Sequence, residues 1–253
     1  MEMNMYPVQQ VIYQSPATQR AFYRVKHAQL GIQYGLKEIT LADGKGMKEI
    51  LNEIIALNRL PFSLAAKCHQ HWSEGNKHFL LLDWIEGKPL SQLEFSADTD
   101  RHELAKQLKI AEMIGRKIMQ LHRYRVIHRD IKPENVVVHT DKSGNPIDVN
   151  LIDFGLANQP RQLEEGTANY RAPEQEYSRG ENLSYACDIF SFSQLIHYLL
   201  AGTPVMLEPN FSGSDWHAVS LALPRELPPR LEIVLRQGLQ FNYKKVSVRP
   251  TTP

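Results

Sequence analysis

Short β-type apolar runs fill the first ninety residues, and a single segment among them repeats its apolar residues at helical spacing. The predicted strands are residues 11–13, 21–25, 33–39, 67–72 and 78–85. A Ser-Pro break separates the first two strands and Glu74-Gly75-Asn76 separates the last two, so each pair predicts a hairpin. Residues 47–60 predict a helix that Pro61 ends. Its apolar residues, at three- and four-residue steps, are Ile50, Leu51, Ile54, Leu57 and Leu60.

The pattern becomes mainly helical after Gly87. Asp100 is placed to cap a long amphipathic helix over residues 103–124, with Glu103 three residues after it. Residues 136–139 and 149–152 predict two short strands, and residues 185–200 are apolar on nearly every side, as in a helix buried in a core. A strand-rich first third followed by a helix-rich remainder predicts an α+β fold with two lobes.

Composition and charge narrow the classes of function. The 253 residues carry 29 Lys and Arg against 28 Asp and Glu, a formal net charge of +1. Such a balance argues against a protein that coats nucleic acid or anionic membrane. No apolar run reaches the roughly 18 residues of a membrane span. The only two cysteines, Cys68 and Cys187, cannot form a disulfide framework and suit a reducing compartment, so the expected location is the cytoplasm.

Three motifs follow one another in the second part of the chain. Residues 128–135 read His-Arg-Asp-Ile-Lys-Pro-Glu-Asn, residues 153–155 read Asp-Phe-Gly, and residues 166–174 end in Ala-Pro-Glu. In this order, and on these elements, they resemble the eukaryotic-type protein kinase family. The resemblance implies a bilobal kinase domain over residues 1–253. Its expected parts are a small β-rich lobe with one key helix (1–83), a hinge (84–87) and a larger, mainly helical lobe (88–253).

The resemblance assigns the phosphoryl-transfer chemistry to the second lobe. Asp130 would accept the proton of the substrate hydroxyl, and Lys132 would steady the transferred phosphate. Asn135 and Asp153 would hold Mg²⁺, which prefers hard oxygen ligands. The Asp-x-Lys spacing and Thr167 in the substrate loop resemble kinases that act on serine or threonine. ATP and Mg²⁺ are therefore the expected cofactors, and proteins bearing serine or threonine the expected substrates.

The ATP side is expected in the first lobe. Tyr34-Gly35-Leu36-Lys37 resembles the family's Val-Ala-Ile-Lys strand, so Lys37 would contact the α and β phosphates. Glu53 is its expected partner on the helix, with Glu49 as the alternative one turn earlier. The Asp83 carbonyl and the Ile85 amide would meet the edge of the adenine.

Structural and regulatory roles follow from the same resemblance. Asp188 on the buried helix would orient the backbone of the catalytic loop, and Glu174 would pair with Arg249. Residues 156–165 contain no Ser, Thr or Tyr, although an arginine before the catalytic aspartate usually accompanies activation by a phosphate. Our hypothesis is that Glu164 or Glu165 pairs with Arg129 and replaces that phosphate; solvated loop carboxylates are the alternative.

The glycine-rich phosphate loop of the family is missing. The positions that correspond to its three glycines are Ser15, Ala17 and Arg20. Side chains and a proline should weaken a cradle of backbone amides, which predicts weaker binding of ATP. Arg20 or Thr18 could supply side-chain contacts instead. Gly35 replaces the family's alanine over the adenine, which predicts extra room there.

Cys68, His69, His71 and His78 lie on the second predicted hairpin. Strand alternation predicts His69 and His71 on one face and Cys68 on the other, a poor arrangement for one tetrahedral zinc site. Ordinary strand residues are the favoured interpretation.

Three functions compete. A serine/threonine kinase is favoured because Lys37, Asp130, Asn135 and Asp153 are all present. The missing glycines favour a pseudokinase, a binding or regulatory scaffold. A small-molecule phosphotransferase would lack the substrate loop at residues 166–174. A monomer is the default expectation, and a compact kinase of this kind would also suit an effector acting in the cytosol of a host cell.

Overall fold

The chain divides into a strand-rich unit and a helix-rich unit. The computed structural model describes residues 2–41, 46–95, 100–157, 166–177, 183–206, 221 and 229–239. The two compact units are Met1–Glu86 and Gly87–Pro253, and their boundary falls within the expected hinge at 84–87. Strands dominate the first unit and helices the second, which confirms the predicted α+β class.

One antiparallel sheet forms most of the first unit. Its strands are β1 (Val8–Ser15), β2 (Arg20–Lys26), β3 (Gln33–Thr40), β4 (Cys68–Glu74) and β5 (Lys77–Asp83), and α1 (Met47–Arg59) is its α-helix. The sheet order is β1-β2-β3-β5-β4, so β3 lies at the centre. Both predicted hairpins are present as β1–β2 and β4–β5. The central position of β3 places Lys37 in the middle of the sheet, opposite Leu80.

Helix α1 buries a face that differs in part from the predicted apolar stripe. It ends at Arg59, just before Pro61, as the sequence predicts. Its buried residues are Ile50, Glu53, Ala56 and Leu57. Leu51 is 48% exposed, although the periodicity places it on the stripe. A carboxylate occupies the buried face instead because Glu53 forms an ion pair with Lys37.

The two faces of the sheet carry different side chains. The Leu36 face holds an apolar cluster of Tyr6, Val25, Leu36, Phe79 and Leu81. The opposite face, called here the Lys37 face, carries the alternate residues of each strand. A bulge between Cys68 and Gln70 adds one residue to β4.

That bulge makes the predicted placement of two histidines wrong. His69 bonds to Asp83 and packs edge-on against Tyr34, on the Leu36 face. His71 is paired with Leu80 and stacks on His78, on the Lys37 face. Strict alternation would have kept His69 and His71 together, but the extra residue of the bulge reverses the side on which His69 projects.

Among the described residues of the second unit, the structure contains helices and three short strands. The α-helices are α2 (Arg101–Arg123), α3 (Pro173–Tyr177), α4 (Ala186–Ala201) and α5 (Pro229–Gly238), and the strands are β6 (Lys88–Pro89), β7 (Val136–Thr140) and β8 (Pro146–Leu151). The carboxylate of Asp100 accepts hydrogen bonds from the backbone amides of His102 and Glu103, which confirms the predicted N-cap of α2. Helix α2 packs against β8 and α4.

Helix α4 is buried on nearly all sides, as its composition predicts. The residues Phe190, Leu195 and Leu199 are at most 2% exposed, and Asp188 on the same helix is fully buried. Gly202 ends the helix in the left-handed conformation with a φ of 77°. Within the described part of the chain, none of the helices has the length and hydropathy that crossing a membrane requires.

Candidate active site

A buried ion pair joins β3 to α1 in the first unit. The Lys37 ammonium lies 2.7 and 2.9 Å from the two oxygens of Glu53, and both side chains are about 95% buried. Glu49, the alternative partner, instead lies 3.5 Å from the Arg20 guanidinium near the surface. The Lys37 charge is therefore fixed in place by a bidentate contact, which prepares it to meet an anion.

The glycine-free loop is a tight turn that uses its own hydrogen-bonding groups. Ser15 and Arg20 pair across the ends of β1 and β2, so the turn contains four residues. The amide of Thr18 donates to the Ser15 hydroxyl, and the amide of Gln19 donates to the Pro16 carbonyl. Gln19 adopts a φ of 53°, in the left-handed region. Because these two amides are occupied within the turn, they are not presented to a phosphate.

Strand β5 leads into the segment expected to meet adenine. The Asp83 carboxylate accepts hydrogen bonds from the Lys67 amide at 2.7 Å and from His69 at 2.6 Å, so the end of the strand is held by its side chain. Ile85 is half-buried and follows the end of the strand. Cys68 lies on the neighbouring strand, where burial, with a smaller contribution from the Glu53 charge, raises the pKa of its thiol to about 11.

Three functional groups converge on the Asp130 carboxylate in the second unit. The Thr167 hydroxyl donates to one carboxylate oxygen at 2.7 Å. The other oxygen lies 3.0 Å from the Lys132 ammonium and 3.1 Å from the Asn135 amide nitrogen. Lys132 also donates to the Thr167 hydroxyl at 2.7 Å, which closes a ring of contacts. The structure thus brings together the three residues predicted to be catalytic, Asp130, Lys132 and Asn135, and adds the hydroxyl of Thr167, which the sequence placed in the substrate loop.

Asn135 and Asp153 are the residues whose oxygens could hold a divalent cation. Asn135 is 5% exposed, and its amide nitrogen donates to the Asp130 carbonyl at 2.8 Å, so its side-chain oxygen is the group suited to a metal. Asp153 follows β8 with a φ of 60°. A carboxylate and an amide oxygen are the hard ligands that Mg²⁺ prefers, so the donor set fits this ion.

The residue after Asp153 anchors that segment in the core. Phe154 is fully buried, with its ring centroid 4.7 Å from that of His128. His128 is also hydrogen-bonded to the Ile152 carbonyl at 3.0 Å. One histidine therefore ties the catalytic loop to both neighbours of Asp153, a role that sequence reasoning did not assign to it.

A buried carboxylate holds the backbone of the catalytic loop. Asp188 accepts hydrogen bonds from the amides of His128 at 2.9 Å and Arg129 at 2.8 Å. His122 contacts the same carboxylate at 2.9 Å, a further contact that the sequence did not reveal. The φ of Arg129 is 70°, a strained conformation for a residue with a Cβ atom, and these bonds hold it there.

Gln175 is a second support of this loop that sequence reasoning missed. Its side chain is fully buried, donates to the Arg129 carbonyl at 2.9 Å and accepts from the Ala172 amide at 3.0 Å. A Cβ atom on Gly166 would lie 3.0 Å from the Arg129 carbonyl oxygen, so glycine permits the close approach of the two segments. In the sequence, the only indication of this role is that a polar residue directly follows Ala-Pro-Glu.

Three of the predicted residues lie outside the described part of the chain. They are Glu164, Glu165 and Arg249. Their expected pairings, with Arg129 and with Glu174, therefore stay predictions. Glu174 itself lies in α3 and is half-buried.

Comparison with known proteins identifies a protein kinase domain over most of the chain. The protein kinase domain model matches residues 20–227. A serine/threonine-protein kinase of Drosophila erecta is 29% identical over 194 residues, which cover 74% of this chain and 25% of the relative. A G-type lectin S-receptor-like serine/threonine-protein kinase of Arabidopsis thaliana is 29% identical over 197 residues, which cover 72% of this chain and 24% of that relative.

The chain spans about a quarter of the length of these curated relatives. The family match nevertheless covers well over half of the chain and includes Lys37, the catalytic-loop motif and the Ala-Pro-Glu segment. The chain belongs to the protein kinase domain family, and the resemblance seen in its motifs is thereby confirmed.

Proposed function

We propose that this chain transfers the γ-phosphate of ATP to serine or threonine hydroxyls of protein substrates, with Mg²⁺ held by Asn135 and Asp153. Members of the family generally use ATP and Mg²⁺. The observation that carries the proposal is the Asp130 carboxylate, which accepts a hydrogen bond from an aliphatic hydroxyl and lies beside an ammonium group. A carboxylate in this setting can orient a second hydroxyl and accept its proton.

In the proposed step, the substrate hydroxyl oxygen forms a bond to the γ-phosphorus, while the bond from that phosphorus to the oxygen bridging to the β-phosphate breaks. The hydroxyl proton passes to Asp130, and ADP leaves with the bridging oxygen. Lys132, held by Asp130 and Thr167, supplies positive charge to the transferred phosphoryl group. When bound, Mg²⁺ neutralises phosphate charge.

On the nucleotide side, we propose that Lys37 contacts the α and β phosphates and that Asp83 and Ile85 meet the adenine edge through their backbone. The bidentate contact to Glu53 supports this role of Lys37, because it fixes a charge that would otherwise be mobile. The occupied amides of the turn before Arg20 support the expectation of a high KM for ATP.

We also propose that activity does not need phosphorylation of residues 156–165, which offer no Ser, Thr or Tyr. Asp188 and Gln175 support this, since they fix the Arg129 backbone from its amide and its carbonyl without any phosphate. Glu164 or Glu165 would complete the arrangement by pairing with the Arg129 guanidinium. The double variant Glu164→Ala/Glu165→Ala should lose activity that an upstream kinase does not restore. Full activity of that variant would end the pairing hypothesis.

A pseudokinase is the second candidate, and the self-bonded turn is the observation that favours it. The deciding experiment incubates the protein with labelled ATP, Mg²⁺ and a general protein substrate, followed by phosphoamino acid analysis. We expect phosphoserine or phosphothreonine, with no label when Mg²⁺ is chelated. Absence of label together with no thermal shift from Mg-ATP would favour the scaffold. We also propose a cytoplasmic location, which fits two cysteines, Cys68 and Cys187, that form no disulfide.

A further inference from the structure

The carboxylate of Asp83 takes the place of a backbone acceptor at the end of β5. The Asp83 amide donates a hydrogen bond to the Lys67 carbonyl at 3.1 Å. In a regular antiparallel pair, the Lys67 amide would return this bond to the Asp83 carbonyl. The Lys67 amide donates instead to Oδ2 of the Asp83 side chain at 2.7 Å. The Asp83 carbonyl is thereby released from this bond and can accept one from a ligand.

His69 holds the second oxygen of the same carboxylate. Its Nε2 lies 2.6 Å from Oδ1 of Asp83. An ionised carboxylate only accepts hydrogen bonds, so Nε2 is the ring nitrogen that carries the proton. The Tyr34 ring packs edge-on against the histidine, with the ring centroids 5.4 Å apart, and fixes the orientation of the imidazole. The Asp83 carboxylate is therefore held through both of its oxygens.

The bulge in β4 is what brings His69 to Asp83. Asp83 is the cross-strand partner of Tyr34, and both side chains lie on the Leu36 face. Without the extra residue between Cys68 and Gln70, His69 would share the Lys37 face with His71, out of reach of this carboxylate. A bulge that re-aims one side chain toward a particular partner is a built feature of a sheet.

We infer that His69 is a positioning residue for the nucleotide. By holding the Asp83 carboxylate on the Lys67 amide, it keeps the Asp83 carbonyl available, and it thereby sets a preference for the 6-amino group of adenine. The inference rests on the proposed function for the contact between Asp83 and the adenine edge. A carbonyl only accepts hydrogen bonds, and the donor on that edge of the base is the 6-amino group. A site built to bond such a donor discriminates against an analogue that lacks it.

The test compares the Kd values of Mg-ATP and of magnesium inosine triphosphate, which has an oxygen where adenine has the amino group. Titration calorimetry measures both without turnover. His69→Phe keeps a ring beside Tyr34 but removes the N–H donor. It should raise the Kd of Mg-ATP about three- to tenfold, the scale of one net hydrogen bond, and leave that of the inosine nucleotide within about twofold.

Two further variants serve as controls. His69→Gln places an N–H group near the position of Nε2 and should keep both Kd values within about twofold of the native ones. His71→Phe lies on the same strand but on the opposite face, where the new ring can still stack on His78. It should change neither Kd.

A double-mutant cycle tests whether His69 acts through the Asp83 side chain. Asp83→Ala keeps the backbone carbonyl but removes the carboxylate, so His69→Phe should have no further effect in that background. Thermal unfolding checks that each variant is folded. An equal loss for both nucleotides would indicate a merely structural role and would overturn the inference, as would unchanged Kd values.

The outcome also separates this inference from the proposed catalysis. If the native protein transfers phosphate but His69→Phe keeps the native preference for ATP, the catalysis stands and the positioning role falls. If the preference shifts as expected but no phosphate is transferred, the positioning role stands and the catalysis falls. A native protein that binds neither nucleotide would overturn both.

Discussion

Replacing Asp188 by asparagine tests the support of the catalytic loop. The native carboxylate is fully buried and accepts from two backbone amides and from His122. In Asp188→Asn one oxygen becomes an NH₂ group, so at least one buried donor then faces another donor. A buried donor left without an acceptor costs about 1–3 kcal/mol. With the weaker remaining bonds included, we expect the free energy of unfolding to fall by roughly 2–4 kcal/mol, or roughly 5–15 °C in Tm.

The assay combines thermal unfolding with steady-state phosphoryl transfer at a temperature where the variant is folded. Arg129 should then relax from its strained φ, and kcat should fall while the KM for ATP changes little. Asp148→Asn serves as the control, because it removes an exposed partner of Lys117 and should cost under about 1 kcal/mol. Native Tm and native kcat in Asp188→Asn would show that this carboxylate does not support the catalytic loop.

Three further predictions use other contacts. Glu53→Gln should lower the free energy of unfolding by on the order of 3 kcal/mol and raise the KM for ATP, because it removes the carboxylate charge that forms a bidentate pair with a buried ammonium, whereas Glu49→Gln on the same helix should do neither. Gln175→Leu should lower both Tm and kcat, with kcat measured at a temperature where the variant is folded. Gln194→Leu removes an equally buried glutamine with two backbone hydrogen bonds and should lower Tm alone. Equal kcat in the two variants would contradict the role of Gln175. Alkylation of Cys68, followed by peptide mass spectrometry, should be slow at pH 8 and accelerate up to about pH 11, since only the thiolate reacts; fast labelling at pH 8 would show that the pKa is not raised.

Local patterns predicted most elements of the fold. The stop at Pro61 and the cap at Asp100 both depend on the chemistry of one or two adjacent residues, and both appear in the structure as expected. The bulge in β4 could not be predicted, since one inserted residue leaves no mark in the alternation of so short a strand. Its consequence was the reversed side of His69.

The candidate site also contains residues that the sequence predicts and contacts that it does not. The motifs identify Asp130, Lys132 and Asn135 because their spacing is local, and these side chains meet in the structure. The contacts of Gln175 with Arg129 and of His69 with Asp83 join segments whose proximity depends on the tertiary fold. No spacing rule connects such pairs, so their roles became visible only when the segments were packed together.

Asp130 is the group that we propose as the acceptor of the substrate proton. The most direct measurement compares incorporation of labelled phosphate from Mg-ATP by the native protein and by Asp130→Asn, with equal Tm and equal ATP affinity established first. We expect a fall in rate of about 10²–10⁴-fold in Asp130→Asn, the usual contribution of a positioned general base. Equal rates in the two proteins, with both folded and both binding ATP, would contradict it.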